Sequence, residues 1–371
     1  MVPRSETATV ASVHLIGLRR SLASYTREEP MITKVAILGC GNIARGHVTG
    51  WRQAGADVVV AVDADEPRAR AFAREAEVEE TAGTWDAALD RTDVAIVDIC
   101  LPHALHAPAA IAAAQAGKHV FVEKPIATTV EEADQMIAAA EHAAVLLMVR
   151  HNHRFMPVRR SARRIIETGG IGEPYLLRST CIESPDYILA RPWYGQKQQG
   201  HGGVLLGNAI HHLDLFRWYG GEVRRVAALG SNKVIAARAG MDAEDTALLV
   251  CEFEGGALGE LLFTDAEVTA RAGIEQIEVY GTEGWLAVSF NHGDHGASRR
   301  IFGDGEIHAL PPAEGLDAET EFAHFLRCVA SGEEPLTSGP EARRALELVI
   351  AGYQSMRSGG FVTLPLDPDL A

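Results

Sequence analysis

From Met31 to about Arg150, short runs of apolar β-formers alternate with longer stretches whose apolar residues recur at helical spacing. Val35, Ile37 and Leu38, the segment 57–62 (DVVVAV), the segment 94–100 (VAIVDIC), the segment 119–122 and the segment 145–149 each read as a buried strand. An alanine-rich helix follows Pro102 and stops at Gly117, a suitable C-cap. The helix starting at Thr129 puts Val130, Ala133, Met136, Ile137 and Ala140 on one face. Alternation of this kind predicts a parallel sheet covered by helices on both sides, with ligands at the carboxyl ends of its strands.

After Arg150 the pattern changes. A helix is predicted over 157–168 and a longer strand over 175–183, then a loop holding Pro185, Pro192, Trp193 and Tyr194. A helix over 203–219 comes next. Several strands between 223 and 310 are separated by glycine turns at 255–256 and 281–284, which reads as a mostly antiparallel sheet. Helices over 318–330 and 340–357 close the chain. The predicted class is therefore α/β: a Rossmann dinucleotide-binding domain over 31–150 and an α+β domain over 151–371 with a large, mostly antiparallel open sheet. The reaction site is expected in the cleft between them. Residues 1–30 lack this patterning and are expected to be a disordered or non-native extension. Arg19-Arg20 is followed by a polar segment without the apolar core of an export signal.

The first strand breaks into Gly39, Gly41 and Ala44, the spacing G-x-G-x-x-A. The first glycine permits the tight turn, the second lets backbone approach a pyrophosphate, and the third small residue lets the next helix pack close. Gly39, Gly41, Asn42 and Ile43 are thus candidates for cradling phosphates at a helix N-terminus. Asp63 ends the second strand, where an acid accepts hydrogen bonds from the adenosine ribose. Ala64 follows it, so nothing obvious awaits a 2′-phosphate, and NAD is expected rather than NADP.

The totals add limits. A chain of 371 residues suits two domains, and its net charge of −16 disfavours nucleic acid and anionic membranes. No apolar run reaches the roughly 18 residues of a membrane span. The cysteines, Cys40, Cys100, Cys181, Cys251 and Cys328, are dispersed without a C-x-x-C pair, which suits reduced thiols and a cytoplasmic location.

Glu123-Lys124-Pro125 ends the fourth clear strand, at the rim where a nicotinamide would lie. Desolvation and the neighbouring positive ring both disfavour the ammonium form of such a lysine, which can then exchange a substrate proton during hydride transfer. Around it, the run TDVAIVDICLPHALHAPAAIAAAQAGKHVFVEKPIATTVEEADQMI resembles the glucose–fructose oxidoreductase / inositol dehydrogenase (Gfo/Idh/MocA) family. The likeness continues through HNHRFMP, HGGVLLGNAIHHLDLFRW and EFAHFLRCVASGEEPLTSGPEARRALE, covering roughly residues 31–360. The resemblance implies that Lys124 is the catalytic lysine, allows a cis Lys124–Pro125 bond, and makes His211 the histidine facing the substrate. The aspartate that this family often carries four positions before that histidine is Gly207 here, so either Lys124 and His211 suffice or another group fills in.

At α-helical spacing His211, Gly207 and Asp214 share one face, with Asp214 placed to orient His211, while His212 and Asn208 share another. Pro102, His103 and Glu123 are expected near the nicotinamide half. Arg154, Phe155, Tyr187, Trp193, Asn208 and His212 are expected around the substrate, together with Tyr194 and His201. Paired histidines (His103 with His106, His151 with His153, His211 with His212) gain no acid or cysteine at metal-ligand spacing, so no metal is expected. The expectation is an NAD-dependent oxidoreductase moving hydride between nicotinamide and a secondary alcohol or ketone of a sugar, sugar acid or cyclitol. Its expected assembly is a homodimer or homotetramer. The alternatives are a glycoside hydrolase or lyase that retains NAD and oxidises transiently, and a non-catalytic nucleotide-binding regulator.

Overall fold

The computed structural model describes residues 32–191, 193–267, 273–291, 294–302, 307–309 and 315–367. The expectation for 1–30 lies outside the described residues, as does Pro192. The first part of the chain runs β1 (Lys34–Leu38), α1 (Asn42–Gln53), β2 (Asp57–Val62), α2 (Glu66–Ala76), β3 (Glu80–Ala82), α3 (Asp86–Leu89), β4 (Val94–Ile99), α4 (His106–Gln115), β5 (His119–Val122), α5 (Val130–His142) and β6 (Leu147–Val149). Its six strands are all parallel, in the order β3-β2-β1-β4-β5-β6. That order reverses at β1/β4, the switch point at which such sheets open a ligand crevice.

Each strand is apolar on both faces because each face is covered. Val35 and Ile37 of β1 pack with Trp51 and Phe72, while Ala36 and Leu38 belong to the opposite core layer. Strand β6 starts two residues later than the apolar run suggests. Val145 is still bonded to the preceding helix, through its N–H to the Ala140 carbonyl, and the Leu146 N–H donates to His119 Nδ1.

The second part continues with α6 (Pro157–Glu167), β7 (Pro174–Ile182), the single turns α7 (Asp186–Leu189) and α8 (Lys197–Gly200), α9 (Ile210–Gly220), β8 (Val223–Ser231), α10 (Lys233–Ala239), β9 (Thr246–Phe253) and β10 (Leu258–Thr264). Strands β11 (Ile274–Gly281), β12 (Gly284–Asn291), β13 (Asp294–Phe302) and β14 (Ile307–Ala309), helices α11 (Glu321–Ser331) and α12 (Gly339–Ser358), and the short edge strand β15 (Val362–Thr363) follow. The nine-stranded sheet has the order β14-β13-β12-β11-β7-β10-β9-β8-β15. Only β7 and β10 pair in parallel; the remaining pairs are antiparallel, as the glycine turns predict.

Helix α9 is preceded by a π-helical turn, Leu205–Ala209, where the sequence suggests uninterrupted α-helix. The C-terminal helices return to the first part of the chain. Phe322 and Phe325 of α11 pack against Trp51 and Phe121. Gly50 of α1 lies so close to the Phe322 ring that a Cβ would overlap it. These contacts tie α1, whose first turn faces the crevice, to the end of the chain.

Candidate active site

The glycine turn is built as the spacing requires. Gly39 has φ +95°, and a Cβ there would collide with the Cys100 carbonyl. Gly41 is the N-cap of α1, and a Cβ there would meet nothing within 4 Å. Asn42 and Ile43 are exposed beside it, and the first turn of α1 carries no acidic side chain or capping hydrogen bond. Open space in front of free helix N–H groups fits a pyrophosphate. Asp63 stands at the end of β2, with Oδ2 accepting the Cys40 N–H at 3.0 Å and Oδ1 accepting the Asp65 N–H at 2.9 Å. Arg68 of α2 also pairs with it, at 3.0 Å. Ala64 thus does not leave the acid without a cation, because the guanidinium arrives from the next helix, five residues on.

Glu123 and Lys124, which follow β5, go to different partners. Glu123 is buried, accepts from His47 Nε2 at 2.9 Å and pairs with Arg150 at 3.0 Å. Burial pushes its carboxyl up, but the His47 hydrogen bond and the Arg150 charge outweigh that and hold it well below the usual range. His47 in turn bonds Asp98, which also accepts from the Trp51 indole at 2.7 Å. Burial alone would lower His47, but Asp98 and its other partners raise it well above its ordinary value, so a cationic imidazolium lies between two carboxylates. Glu123 is therefore committed to this network and not free for a ligand. Its Oε2 accepts the Lys124 N–H at 3.2 Å, which fixes the lysine backbone.

The Lys124–Pro125 bond is cis. Lys124 Nζ donates to the Gly207 carbonyl and, at 3.1 Å, to Asn208 Oδ1, both in the π-helical turn. Burial lowers its proton affinity, offset in part by the charges of Glu123 and Asp265. Asn208 Nδ2 donates to Asp265 Oδ2 at 3.2 Å, just past the end of β10. Asp265 is fully buried, and its other oxygen, Oδ1, has no hydrogen-bond partner among the described residues. Burial and the nearby Glu183 push its carboxyl up to about 7.

His211 stacks on His153 with ring centroids 4.1 Å apart, and its buried Nδ1 has no partner among the described residues. Burial and the Lys124 charge hold it well below its ordinary value, hence neutral. His151, edge-on to His211, also has both ring nitrogens buried without a hydrogen-bond partner among the described residues, its Nδ1 lying 3.9 Å from Asp214. A lysine amine, an imidazole and a carboxylate oxygen therefore have unused hydrogen-bonding capacity within one buried region, the condition for receiving a hydroxylated ligand.

The other expected residues divide. Asp214 does not orient His211. It is bound by Arg154 at 2.6 and 2.8 Å, and Arg154 also pairs with Glu341, so this buried ion pair removes both from the ligand's reach. Phe155 turns away as well, packing under Arg160 and against His324. His212 is buried on another face, held by Ser179 at 2.6 Å. His103 donates from Nδ1 to the Gly200 carbonyl at 3.2 Å and packs edge-on against Trp193 and Tyr194. Pro102 is exposed just ahead of it. Tyr187 lies in α7, and its side chain is outside the described residues. His201 is exposed and lines a cavity of about 580 Å³ with Glu244 and Tyr353 that contains none of the other expected residues. A Cβ at Gly207 would overlap the Tyr194 hydroxyl, so tyrosine occupies the space beside that position.

Two histidine groups do acquire acids in space, His47 with Asp98 and Cys100, and His153 with His212 and Glu275. In both, the carboxylate already carries an in-chain cation: His47 for Asp98, and Arg159 for Glu275. The thiol of Cys100 is pushed up to about 12 by burial and by Asp98, so it is no ready thiolate.

Residues 33–151 match the oxidoreductase family with an NAD-binding Rossmann fold, GFO/IDH/MocA, and residues 159–287 match the GFO/IDH/MocA C-terminal domain. The chain belongs to the GFO/IDH/MocA oxidoreductase family. It is 32% identical over 342 residues to a D-apiose dehydrogenase of Paraburkholderia graminis, covering 89% of each chain. It is 29% identical to a myo-inositol 2-dehydrogenase of Thermotoga maritima, covering 89% of this chain and 98% of that one. A solved levoglucosan dehydrogenase in complex with NADH superposes with a TM-score of 0.81 at 26% identity, covering 90% of this chain and all of the other. This GFO/IDH/MocA protein is thus an oxidoreductase with an NAD-binding domain. Among its described residues no helix is long and apolar enough to cross a membrane.

The sequence reading passed over Asp265, Arg68 and the network of His47, Asp98 and Arg150 around Glu123. The one signal for Asp265 was a polar residue ending an alternating strand in LLFTDAE.

Proposed function

We propose that the protein is an NAD-dependent dehydrogenase or reductase acting on a secondary alcohol or ketone of a small polyhydroxylated substrate. The observation that carries this reading is the tethering of Lys124. Two acceptors, the Gly207 carbonyl and Asn208 Oδ1, take two of the N–H bonds of Nζ. One tetrahedral position is left. In the amine it holds the lone pair, and in the ammonium it holds a third N–H.

Gly39, Gly41, Asn42 and Ile43 would hold the pyrophosphate of the dinucleotide and Asp63 its adenosine ribose. When bound, the nicotinamide accepts or supplies the hydride. In the oxidative direction Lys124, as the amine that burial favours, takes the hydroxyl proton; in the reductive direction the ammonium returns it. Neutral His211 holds the same oxygen or its neighbour by a hydrogen bond. Glu123, fixed by His47 and Arg150, keeps the lysine backbone in place without entering the reaction. The relatives and neighbours named for apiose, inositol and levoglucosan chemistry support a sugar or cyclitol substrate. The acid at Asp63 supports NAD over NADP.

The test is a panel of sugars, sugar acids and inositols incubated with NAD. NADH accumulating in step with oxidised product supports the reading. A buried carboxyl that holds its proton near neutrality, Asp265, is also what a hydrolase or lyase retaining NAD would use as a general acid. Product formed with no net NADH would favour that alternative.

A further inference from the structure

We propose that Asp265 binds a hydroxyl of the substrate beside Lys124 and thereby makes the site select neutral sugars or cyclitols over sugar acids. The inference rests on the dehydrogenase reading above and narrows its substrate class.

The carboxylate comes from the sheet domain, just past the end of β10, and is linked to the lysine through Asn208, close enough for its charge to act on the amine. Its position depends on the parallel pairing of β7 and β10, which brings Ile182 opposite Thr264 and so puts Glu183 next to Asp265. The Glu183 N–H donates to the Thr264 carbonyl at 2.8 Å, and the Asp265 N–H to the Asp245 carbonyl at 2.9 Å. Three strand ends therefore fix the backbone on which Asp265 stands.

One oxygen of Asp265 has a structural role. Oδ2 takes an N–H of Asn208, which orients that amide so that its own oxygen faces Lys124. The other oxygen is buried and without a partner among the described residues. A buried carboxylate oxygen left unmatched costs stability, and a site that binds polyols repays that cost when a hydroxyl arrives.

The charges facing Asp265 explain the selectivity. Glu183 after β7 and Asp245 ahead of β9 are like charges; Lys124 after β5 is the opposing one, and Asn208 is the neutral hydrogen-bond partner. Asp245 is itself committed to the Val234 and Ile235 N–H groups and to the Thr246 hydroxyl. The arginines of this region are committed too: Arg150 to Glu123 and Glu321, Arg154 to Asp214 and Glu341, and Arg159 to Glu275. The histidines near Lys124 are held neutral by burial. A substrate carboxylate would therefore meet acids and find no free guanidinium among the described residues, whereas a neutral hydroxyl can donate to Asp265.

The experiment measures initial rates of the full chain with NAD on matched pairs, glucose against glucuronate and glucitol against gluconate, with myo-inositol as a neutral cyclitol, between pH 6 and 9. Wild type is expected to favour the neutral members by about tenfold or more in kcat/KM, a margin that grows as pH rises and Asp265 ionises. Asp265→Asn, which keeps an acceptor for Asn208, is expected to raise KM for the neutral sugar about tenfold and to narrow the neutral-to-acid ratio. It should also move the rise of oxidation rate to lower pH, because removing a negative charge eases deprotonation of Lys124. Circular dichroism and NADH binding check that the variant is folded. Should it not fold, the wild-type ratio across pH decides alone, and a ratio flat from pH 6 to 9 overturns the proposal. Wild type that prefers the acids, or an Asp265→Asn variant with unchanged KM, ratio and pH profile, overturns it while leaving the dehydrogenase reading intact. No NADH from any sugar by NAD-bound protein overturns both.

Discussion

At the scale of single residues, the proposed chemistry rests on one amine, Lys124, whose proton affinity its surroundings set. Lys124→Ala is expected to lower kcat by about 10²–10⁴-fold and leave NADH affinity, measured by fluorescence titration, essentially unchanged. An equal loss of both would reduce the lysine to a binding group. The sign of the pH dependence comes from the charges that surround it. Burial lowers the proton affinity of Lys124 and the acids around it raise it, so oxidation should quicken with rising pH and reduction should slow. Cofactor choice is also a residue-scale matter. Arg68 is half exposed and lies against Asp63, where it could meet a 2′-phosphate that the acid repels. Arg68→Ala should leave NAD affinity near wild type and widen the NAD-to-NADP preference by about fivefold, the worth of an exposed ion contact of ~1 kcal/mol. Tighter binding of NADP than NAD by the unaltered protein would remove Asp63 from the role assigned to it.

At the scale of elements, the site was legible wherever chemistry depends on neighbours in sequence. The glycine turn, Asp63 and Lys124 each stand at the end of an apolar run, and apolar runs are what periodicity detects. His211 needed more than periodicity, since its place came from likeness to a family. Asn208 and His212 do not share a face, Asn208 meeting Lys124 and His212 meeting Ser179, because Leu205–Ala209 is π-helical: the wider hydrogen-bonded turn rotates the residues before Ile210 relative to those after it. Nothing in LLGNA announces that choice. The turn brings both the Gly207 carbonyl and the Asn208 side chain to Lys124, while Asp214 goes to Arg154 instead of His211. Asp265 was invisible for another reason, since its nearness to Lys124 depends on register between strands far apart in the chain. The π-helical turn can be tested through its packing. Gly207→Ala places a methyl group on the Tyr194 hydroxyl and is expected to destabilise by about 1–3 kcal/mol. In a double-mutant cycle with Tyr194→Ala, read by chemical denaturation, the two changes should fail to add by about 1 kcal/mol or more. Additive effects would mean that the ring does not hold the turn.

At the scale of the whole molecule, one face of the nine-stranded sheet is covered by helices while the other carries an apolar stripe. Leu229, Leu248, Val250 and Leu258 are 69%, 47%, 47% and 56% exposed. Across strands Leu229 lies opposite Leu248 and Leu248 opposite Leu262, while Val250 lies between Ala227 and Glu260, and Leu258 lies opposite Glu252 at the far end. Beside the stripe, Arg178 pairs with Glu260 and Glu278, so the face is apolar in one part and charge-balanced in the next. A surface of that kind suits a second copy of the same chain, since a two-fold axis sets apolar against apolar and each acid near an arginine. Leu248→Lys is expected to shift the assembly toward monomer in sedimentation or light scattering while NAD-dependent turnover continues. Salt gives an independent sign. Each copy carries a net charge of −16, so copies repel at long range and screening lets them approach. Association driven by the apolar stripe should therefore strengthen as salt is added. Association driven by the Arg178 ion pairs should weaken. A wild-type protein that stays monomeric at micromolar concentration in high salt would overturn self-association through this face.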